Sequence, residues 1–391
     1  MNMETEVPVP ADEVENEAAN KRRRVEKEPQ ATPAGLDFIN NLPDDMLIVI
    51  ISLLPIRNRV RTAAVSRRWR TLWIRTPVDL LHSHKLCHGY RQSLDAFSQI
   101  LGSHHGPIKG LITGKFCSNG RERGKLDEWF RSRAIDQLEK LSYNDGHMSL
   151  LPTSALRFAP TLRLAKFMNC HPPLNDAPAL FLPRLKRLEL IAVCIPKDDM
   201  ERLLHGCTAL EFLRLQAMNW SSTLHITSRT LRTIYVCCWC CNERSQKVDH
   251  NMVIQDTPSL ERLLVVDQQG PTRVNVISAP KLKVVGYSSV KYYNFQRSFT
   301  QTLGTVKVLA LEFVVPNLDQ VFSCLRCFPC LKKLYIECIL GPVEDVDNDN
   351  HIECLDLHLS NITLNSYRGT PPEITLAMFF LARAKVLLSE A

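Results

Sequence analysis

The sequence predicts an α/β fold in which a short helical unit precedes a long array of strand-forming repeats. Three observations support this prediction. The stretch MLIVIISLL, at residues 46–54, contains eight apolar side chains and lies between prolines. Beyond residue 130, an apolar pattern L-x-x-L-x-L recurs ten times at intervals of 21 to 29 residues. The length of 391 residues exceeds one ordinary compact domain, and stacked repeats accommodate such a length.

The first 35 residues are predicted to form a disordered tail, because they are rich in Glu, Ala, Pro and Asn and contain no aromatic residue. The tail has no apolar segment, so no secretory signal is expected. It contains four consecutive cations, at Lys21, Arg22, Arg23 and Arg24. Such a run is either a nuclear-import signal or a group of solvated charges. The predicted location is the nucleus, the cytoplasm or both.

The apolar stretch at 46–54 is too short to span a membrane, which takes about 20 apolar residues. It is predicted to be a helix that begins at Pro43, with Asp44 and Asp45 at its positive N-terminal end. Apolar side chains fall on every side of this helix, so every side should be covered. A unit of about 45 residues has too little surface to cover it alone. Part of the helix is therefore expected to be a protein interface.

Two short helices are expected to follow, the second with Ser66 as its N-cap. The segment 57–75 carries seven arginines and no acid, which accounts for the whole net charge of +7. These arginines would either steer docking onto an acidic partner, or track phosphates while Trp69 and Trp73 stack on nucleic-acid bases. The two tryptophans share one helical face with Leu72, and this pattern favours packing over stacking.

Residues 37–73, DFINNLPDDMLIVIISLLPIRNRVRTAAVSRRWRTLW, resemble the F-box of plant proteins. The matching pieces are LPDDML, I-x-x-LLP and VRTAAVSRRWRTLW, with the spacing between them. The resemblance implies a three-helix unit at 36–80 that docks onto a Skp-type adaptor, which is acidic as a family, and through it onto a cullin ubiquitin ligase. It also implies which residues face the adaptor or are shared between the core and the adaptor interface: Leu42, Pro43, Leu47, Ile50, Leu54, Val60 and Trp69.

The ten copies of the repeat pattern have the period of leucine-rich repeats, which is 20–29 residues. Each copy is predicted to supply one short strand to a solenoid at 81–345, with parallel strands on its concave face. A regular Asn or Cys ladder after the strands is missing, so an irregular solenoid is expected. The copies begin at Leu138, Leu162, Leu185, Leu210, Leu231, Leu260, Leu282, Val306, Leu331 and Leu359.

The residues between the inward-pointing leucines are predicted to alternate onto the exposed concave face. In the better copies these positions mix Arg, Phe and Tyr, types that are enriched at protein-binding hot spots. The alternative is that they are ordinary solvent-facing strand positions. The residues predicted to bind a target protein are Arg187, Phe212, Arg214, Tyr235, Arg262 and Tyr335.

The last segment, at 346–391, resembles the FBD segment that closes many plant F-box proteins. The matching features are the I-E-C-L-D start, the L-x-x-Y-x-G turn at 364–369 and the apolar helix that ends ARAKVL. In that family another strand usually follows the helix, whereas this chain stops at Ala391. The resemblance therefore implies a truncated C-terminal segment.

The chain has fourteen cysteines, which are predicted to be reduced and mostly buried. Two clusters, CCWCC at 237–241 and CLRCFPC at 324–330, and the segment HSHKLCH at 82–88, are the candidates for metal binding. The apolar period continues through 324–330, and no partner pair lies at zinc-finger distance, so no metal and no cofactor are predicted. No phosphate-binding glycine loop, HExxH, G-x-S-x-G or EF-hand pattern is found, and no enzymatic activity is predicted.

The sequence thus predicts a non-catalytic substrate-recognition subunit of an SCF-type (Skp–cullin–F-box) ubiquitin ligase. Its F-box would bind the Skp-type adaptor, and its repeats would bind a target protein. Two alternatives remain. One is a nucleic-acid-binding repeat protein that uses its basic segment; the other is a scaffold whose F-box binds a partner without forming a ligase.

Overall fold

A computed structural model describes residues 39, 41–54, 56–79, 98, 101–102, 104, 106–113, 120–172, 181–218, 223–238, 250–267, 272–289, 299, 301–313, 318–338 and 352–384. The predicted tail, its cation run and the segment 82–88 lie outside these residues. Contacts within the chain divide it into two compact units, 1–50 and 51–391. In the described part, no helix has both the length and the apolar character needed to cross a bilayer.

Three helices occupy the N-terminal region, as predicted: α1 (Asp44–Leu53), α2 (Ile56–Thr62) and α3 (Arg67–Arg75). The predicted cap of α3 is confirmed, because the Ser66 hydroxyl accepts a hydrogen bond from the Trp69 amide at 3.3 Å. Helices α2 and α3 contact each other, and Trp69 and Leu72 are buried.

The described residues beyond α3 are built around a sheet of twelve strands, all parallel to their neighbours. Consecutive strands of this sheet follow one another along the chain, so the α/β class with parallel repeat strands is confirmed. The strands are β1 (Val78–Asp79), β2 (Ile108–Ile112), β3 (Lys140–Leu150), β4 (Leu164–His171), β5 (Arg187–Ile191), β6 (Phe212–Gln216), β8 (Thr233–Cys238), β10 (Arg262–Asp267), β12 (Val284–Ser289), β13 (Val308–Phe313), β14 (Lys333–Cys338) and β15 (Asn361–Asn365).

The repeat pattern read from the sequence locates the strands accurately. Each of the ten copies begins with a buried residue, and a strand starts two residues after it, from Lys140 after Leu138 to Asn361 after Leu359. Along each strand, every second side chain then points into the core, as in Leu213 and Leu215 of β6. Strands β1 and β2 precede the first copy and were not predicted.

A second, smaller parallel sheet was not predicted either. It consists of β7 (Leu224–Thr227), β9 (His250–Asp256) and β11 (Thr272–Val276), in the order β11-β9-β7. Each of its strands lies between two consecutive strands of the larger sheet in sequence. Their apolar side chains, such as Ile226 and Ile254, join the same core as those of the larger sheet. Four other connections in the described part of the chain contain α-helices: α4 (Gly120–Arg131), α5 (Lys197–Gly206), α6 (Leu318–Arg326) and α7 (Glu353–Leu357). Helix α8 (Pro371–Arg383) follows β15.

Helix α8 begins with a capping arrangement around Glu373, which is buried. One carboxylate oxygen of Glu373 accepts hydrogen bonds from the backbone amides of Arg368 and Thr370, each at 2.9 Å. These amides, that of Thr370 above all, hold the pKa of Glu373 below its ordinary value. The ionised side chain therefore stabilises the start of α8.

This cap predicts a pH-dependent stability. Since the folded pKa of Glu373 is below its unfolded value of about 4.3, its contribution is present above that pH and lost as the pH falls through the folded pKa. We expect Glu373→Gln to lower the urea midpoint at neutral pH and to match the wild type more closely in acid. Glu353, which is exposed on α7, offers the control: Glu353→Gln should leave the urea midpoint close to that of the wild type. If the urea midpoint of Glu373→Gln were below that of the wild type by the same amount at neutral and at acid pH, the assigned role of Glu373 would be contradicted.

Candidate functional site

Helix α1 carries an exposed apolar stripe. Met46, Val49, Ile50 and Leu53 are 54%, 54%, 37% and 80% exposed, respectively. Their spacing of three, one and three residues places them on one side of a helix. On the other side, Leu47 and Ile51 are completely buried. One helix thus has a buried apolar side and an exposed apolar side, and exposed apolar surface of this kind marks an interaction site.

The residues that were predicted to face the adaptor differ in their exposure. Pro43 and Ile50 are exposed, and Leu42 and Leu54 are partly buried. Leu47 is not available to a partner, because the helical turn of about 100° per residue directs it to the buried side with Ile51. The exposed stripe contains Met46, Val49 and Leu53 instead of Leu47. Trp69 is buried, and the side chain of Val60 lies outside the described residues.

Arg59, which the sequence analysis treated as part of a surface rim, has a structural role. Its guanidinium group donates hydrogen bonds to the carbonyl oxygens of Leu54 at 2.5 Å, Pro77 at 3.2 Å and Ser52. Ser52 and Leu54 lie at the C-terminal end of α1, where carbonyl groups have no partner within the helix. A cation at this end also interacts favourably with the helix dipole. Arg59 therefore fixes the end of α1 beside the exposed stripe.

We expect Arg59→Ala to lower the free energy of unfolding by about 1–3 kcal/mol, because hydrogen bonds to a charged donor contribute that much. Urea unfolding followed by tryptophan fluorescence would measure the change. Arg61→Ala is the matched control, since the Arg61 side chain is exposed in the same helix and forms no hydrogen bond or ion pair with the described residues. An equal loss for both variants would show that Arg59 contributes only charge.

The other arginines of the segment 57–75 are compatible with both docking and nucleic-acid binding, but the positions of the two tryptophans weaken the nucleic-acid alternative. Arg61, Arg67, Arg70 and Arg75 are exposed. The aromatic rings required for base stacking are not free, however. Trp69 is buried, and the ring of Trp73 packs 5.3 Å from that of His104. His104 is itself buried, with its Nε2 atom 3.0 Å from the carbonyl oxygen of Thr76.

The residues predicted to bind a target lie on the face of the larger sheet that points away from the core. We call this the open face. Arg187 lies over the ring of Phe212, with its Cζ atom 3.8 Å from the ring centroid, and Arg214 lies 4.6 Å over the ring of Tyr235. Both pairs are stacked across neighbouring strands, in positions that cation–π contacts favour. The structure therefore brings four of the six predicted residues into one continuous surface.

Polar contacts hold the charged side chains of this part of the open face in place. The Nε atom of Arg187 donates to Glu189 at 2.6 Å, and Lys166 lies 3.8 Å from the other carboxylate oxygen of Glu189. Arg214 donates to the side-chain oxygen of Gln216. The aromatic rings are thus held in place before any partner arrives, which reduces the entropy lost on binding.

A groove with a volume of about 260 Å³ crosses the open face further along the sheet. Tyr235 and Tyr335 lie at its two sides, and the small residues Gly286 and Ala310 lie between them. An added Cβ atom at Gly286 would lie 2.6 Å from a terminal methyl carbon of Leu264, so a larger residue there would displace the Leu264 side chain. The sequence analysis missed this groove. Aligning the third residue of each strand would have revealed the run of small residues.

Most of the described cysteines are buried, whereas Cys194 is exposed and Cys327 and Cys330 are partly buried. Burial raises the pKa of Cys354 to about 12 and that of Cys324 well above its ordinary value. The thiolate is the form that binds metal, so burial disfavours that role. Cys327 donates a hydrogen bond to the Ser323 carbonyl at 3.5 Å. Within the described ranges, no group of three or more His, Cys, Asp or Glu side chains is placed to hold a metal ion; residues 239–241 lie outside them.

Comparison with known protein families agrees with this architecture. The F-box domain model matches residues 39–88, and the FBD model matches residues 347–389. A model described as "FBD-associated F-box protein At5g56370, LRR repeats" matches residues 126–336, more than half of the chain. The chain therefore belongs to the family of FBD-associated F-box proteins with leucine-rich repeats, and the resemblance seen in its sequence is confirmed.

Similar proteins from Arabidopsis thaliana extend over nearly the whole chain. A probable FBD-associated F-box protein, At1g32375, is 25% identical over 395 residues, which cover 90% of this chain and 91% of that protein. The FBD-associated F-box protein At5g38590 is 26% identical over 392 residues, covering 90% of this chain and 92% of that protein. The putative FBD-associated F-box protein At5g53635 is 28% identical over 243 residues, covering 59% of this chain and 54% of that protein. Proteins of this family are generally non-catalytic adaptors, and the F-box domain implies binding to a Skp-type adaptor.

Proposed function

We propose that this protein is the substrate-recognition subunit of an SCF-type E3 ubiquitin ligase. The observation that carries the proposal is the exposed apolar stripe of α1, which lies within the matched F-box. An apolar stripe of four side chains fits the centre of a protein interface, where apolar residues are buried and charged residues are depleted. The exposed arginines of the segment 57–75 would steer an acidic Skp-type adaptor toward the F-box.

The chain performs no bond chemistry in this proposal. The F-box region holds the ligase, and the open face of the larger sheet holds a target protein, so that both are tethered to one chain. Tethering raises the effective concentration of a target lysine near the ubiquitin-conjugating enzyme. The stacked Arg–aromatic pairs on the open face support the target-binding part, because Arg and Tyr are enriched at hot spots and these side chains are already ordered.

Purification of the tagged chain from plant cells tests the proposal. We expect a Skp-type adaptor and a cullin to co-purify in stoichiometric amounts. Association should slow as ionic strength rises, because steering is screened over about 10 Å at 0.1 M salt. Tight binding of random duplex DNA that is lost in Arg67→Ala/Arg68→Ala would instead favour the nucleic-acid alternative. A stable adaptor complex without a cullin would favour the scaffold alternative.

We also propose that the protein resides in the nucleus, the cytoplasm or both, with Lys21–Arg24 as an import signal. The basis is the run of four cations in the sequence. Nuclear fluorescence of a tagged chain should fall when the four residues are changed to alanine. An unchanged distribution would show that these charges are only solvated.

A further inference from the structure

The groove of the open face has two chemically different ends. It runs across the strands from Tyr235 on β8 to Tyr335 on β14, which are four strand spacings or about 19 Å apart. Tyr235 and Leu264 line one end, which we call the apolar end. Tyr335, Glu312 and Glu337 line the other end, which we call the acidic end.

The two carboxylates of the acidic end are uncompensated. Glu312 and Glu337 are exposed register partners on β13 and β14, and their neighbours in register, Ser288 and Asn365, are uncharged. Lys333, on the same face of β14, lies four residues before Glu337, or about 13 Å along the strand. None of the described residues that line the groove is Lys, Arg or His, and none of the described cations forms an ion pair with either glutamate. Like charges on neighbouring strands repel each other, so a cation bound here would relieve that repulsion.

Tyr335 adds an aromatic ring to the acidic end. It lies two residues before Glu337 on β14, so both side chains point to the open face, about 7 Å apart along the strand. Its register partner on β13 is Ala310, whose methyl group is too small to cover the ring. Tyr235 differs, because the guanidinium group of Arg214 already lies over its ring. An uncovered ring attracts a cation, so the ring and the carboxylates of the acidic end favour the same class of ligand.

A basic side chain fits this groove better than a nucleic acid or a metal ion does. The two glutamates repel phosphate groups. A metal ion would make no use of the apolar end or of the tyrosine ring. Lys and Arg side chains, in contrast, bury their aliphatic stems along apolar surface and keep the charge at the tip. Arginine fits best, because its planar guanidinium group stacks on aromatic rings and forms paired hydrogen bonds with carboxylates.

We infer that the groove binds an extended segment of a target protein in which an apolar side chain and an arginine are two positions apart. The apolar side chain occupies the space over Gly286, beside Leu264, and the arginine lies at the acidic end. From β12, which carries Gly286, to the midpoint between β13 and β14 is one and a half strand spacings, or about 7 Å. In an extended chain, side chains two positions apart point the same way and are also about 7 Å apart. The inference rests on the proposed function, because it specifies which target segments the open face captures.

Three labelled synthetic peptides test the inference. They share the flanks Ser-Gly and Gly-Ser, and their central residues are Leu-Ser-Arg, Leu-Ser-Gln and Leu-Arg-Ser. The second peptide lacks the charge, and the third has the composition of the first with the wrong spacing. Fluorescence anisotropy with the purified full chain should show about tenfold tighter binding of the first peptide than of either other one, because a hydrogen-bonded charge contributes about that factor. Salt should weaken this preference.

The carboxylates are tested with a matched pair of double variants. Glu312→Gln/Glu337→Gln removes the charge of the acidic end and keeps the shape of the groove. Glu211→Gln/Glu261→Gln removes two carboxylates of the same sheet that lie outside the groove and are already paired with cations. We expect the first variant to weaken the Leu-Ser-Arg peptide about tenfold and to leave the Leu-Ser-Gln peptide unchanged. The second variant should bind both peptides as the wild type does.

Several outcomes would overturn the inference. Equal binding of the three peptides would show that neither the charge nor the spacing is recognised, and equal effects of the two double variants would show that the acidic end has no special role. Calcium binding by the wild type that is lost in Glu312→Gln/Glu337→Gln, without any peptide preference, would assign the carboxylates to a metal ion. Failure of adaptor co-purification with the wild type would instead overturn the proposed function alone.

Discussion

Changing Val49 and Leu53 to aspartate is expected to abolish binding of the Skp-type adaptor. Both side chains are exposed on the stripe of α1, so aspartate should be tolerated in the free chain. In the complex, each carboxylate would lie unpaired in the centre of an apolar interface, which costs several kcal/mol. Because each factor of ten in affinity corresponds to about 1.4 kcal/mol, we expect a loss of at least about a hundredfold. Calorimetric titration with purified adaptor would measure it.

Two further variants show whether this loss is specific to the stripe. Leu381→Asp introduces one such carboxylate at a similarly exposed apolar position on α8, and it should leave adaptor binding unchanged. Leu47→Asp should reduce binding only because it unfolds the region around a completely buried side chain. Adaptor binding at the wild-type level in the Val49→Asp/Leu53→Asp variant would show that another surface forms the interface.

The second large effect is expected in the core of the repeat sheet. Leu263 of β10 is completely buried, so Leu263→Ala should lower the free energy of unfolding by about 2–5 kcal/mol through lost apolar burial and the cavity left behind. Urea unfolding would measure the loss. Leu264→Ala is a matched control, because Leu264 is the next residue but lies part-buried on the open face. An equal or larger loss for Leu264→Ala would contradict the assignment of the two faces.

The sequence predicted the repeat strands well because their signal is periodic. A leucine such as Leu185 is buried two residues before β5, and the same offset recurs in all ten copies, so each copy supports the others. The second sheet escaped prediction because its strands do not carry the repeat pattern. In β7 only Leu224 and Ile226 are buried, and an isolated pair of apolar residues does not distinguish a strand from a loop.

The candidate sites were harder to predict than the fold. Helix α1 is apolar on all sides, so its sequence could not indicate that Leu47 points inward while Leu53 points outward. The role of Arg59 depends on carbonyl groups five and seven residues earlier in the chain, and no local pattern specifies such contacts. The groove depends on the register that places Gly286 beside Leu264, and register is a property of paired strands rather than of one repeat.

The central claim is that two separate surfaces of one chain hold the ligase and the target. The most direct measurement is quantitative affinity purification from plant cells with the proteasome blocked, followed by mapping of ubiquitinated lysines. We predict that Val49→Asp/Leu53→Asp loses adaptor and cullin but keeps its other partners, now without ubiquitin. Phe212→Ala/Tyr235→Ala should keep adaptor and cullin but lose those partners. If either variant lost the adaptor and cullin together with the other partners, the two surfaces would not be separate. If the other partners of the wild type carried no ubiquitin, the protein would not act as a ligase subunit.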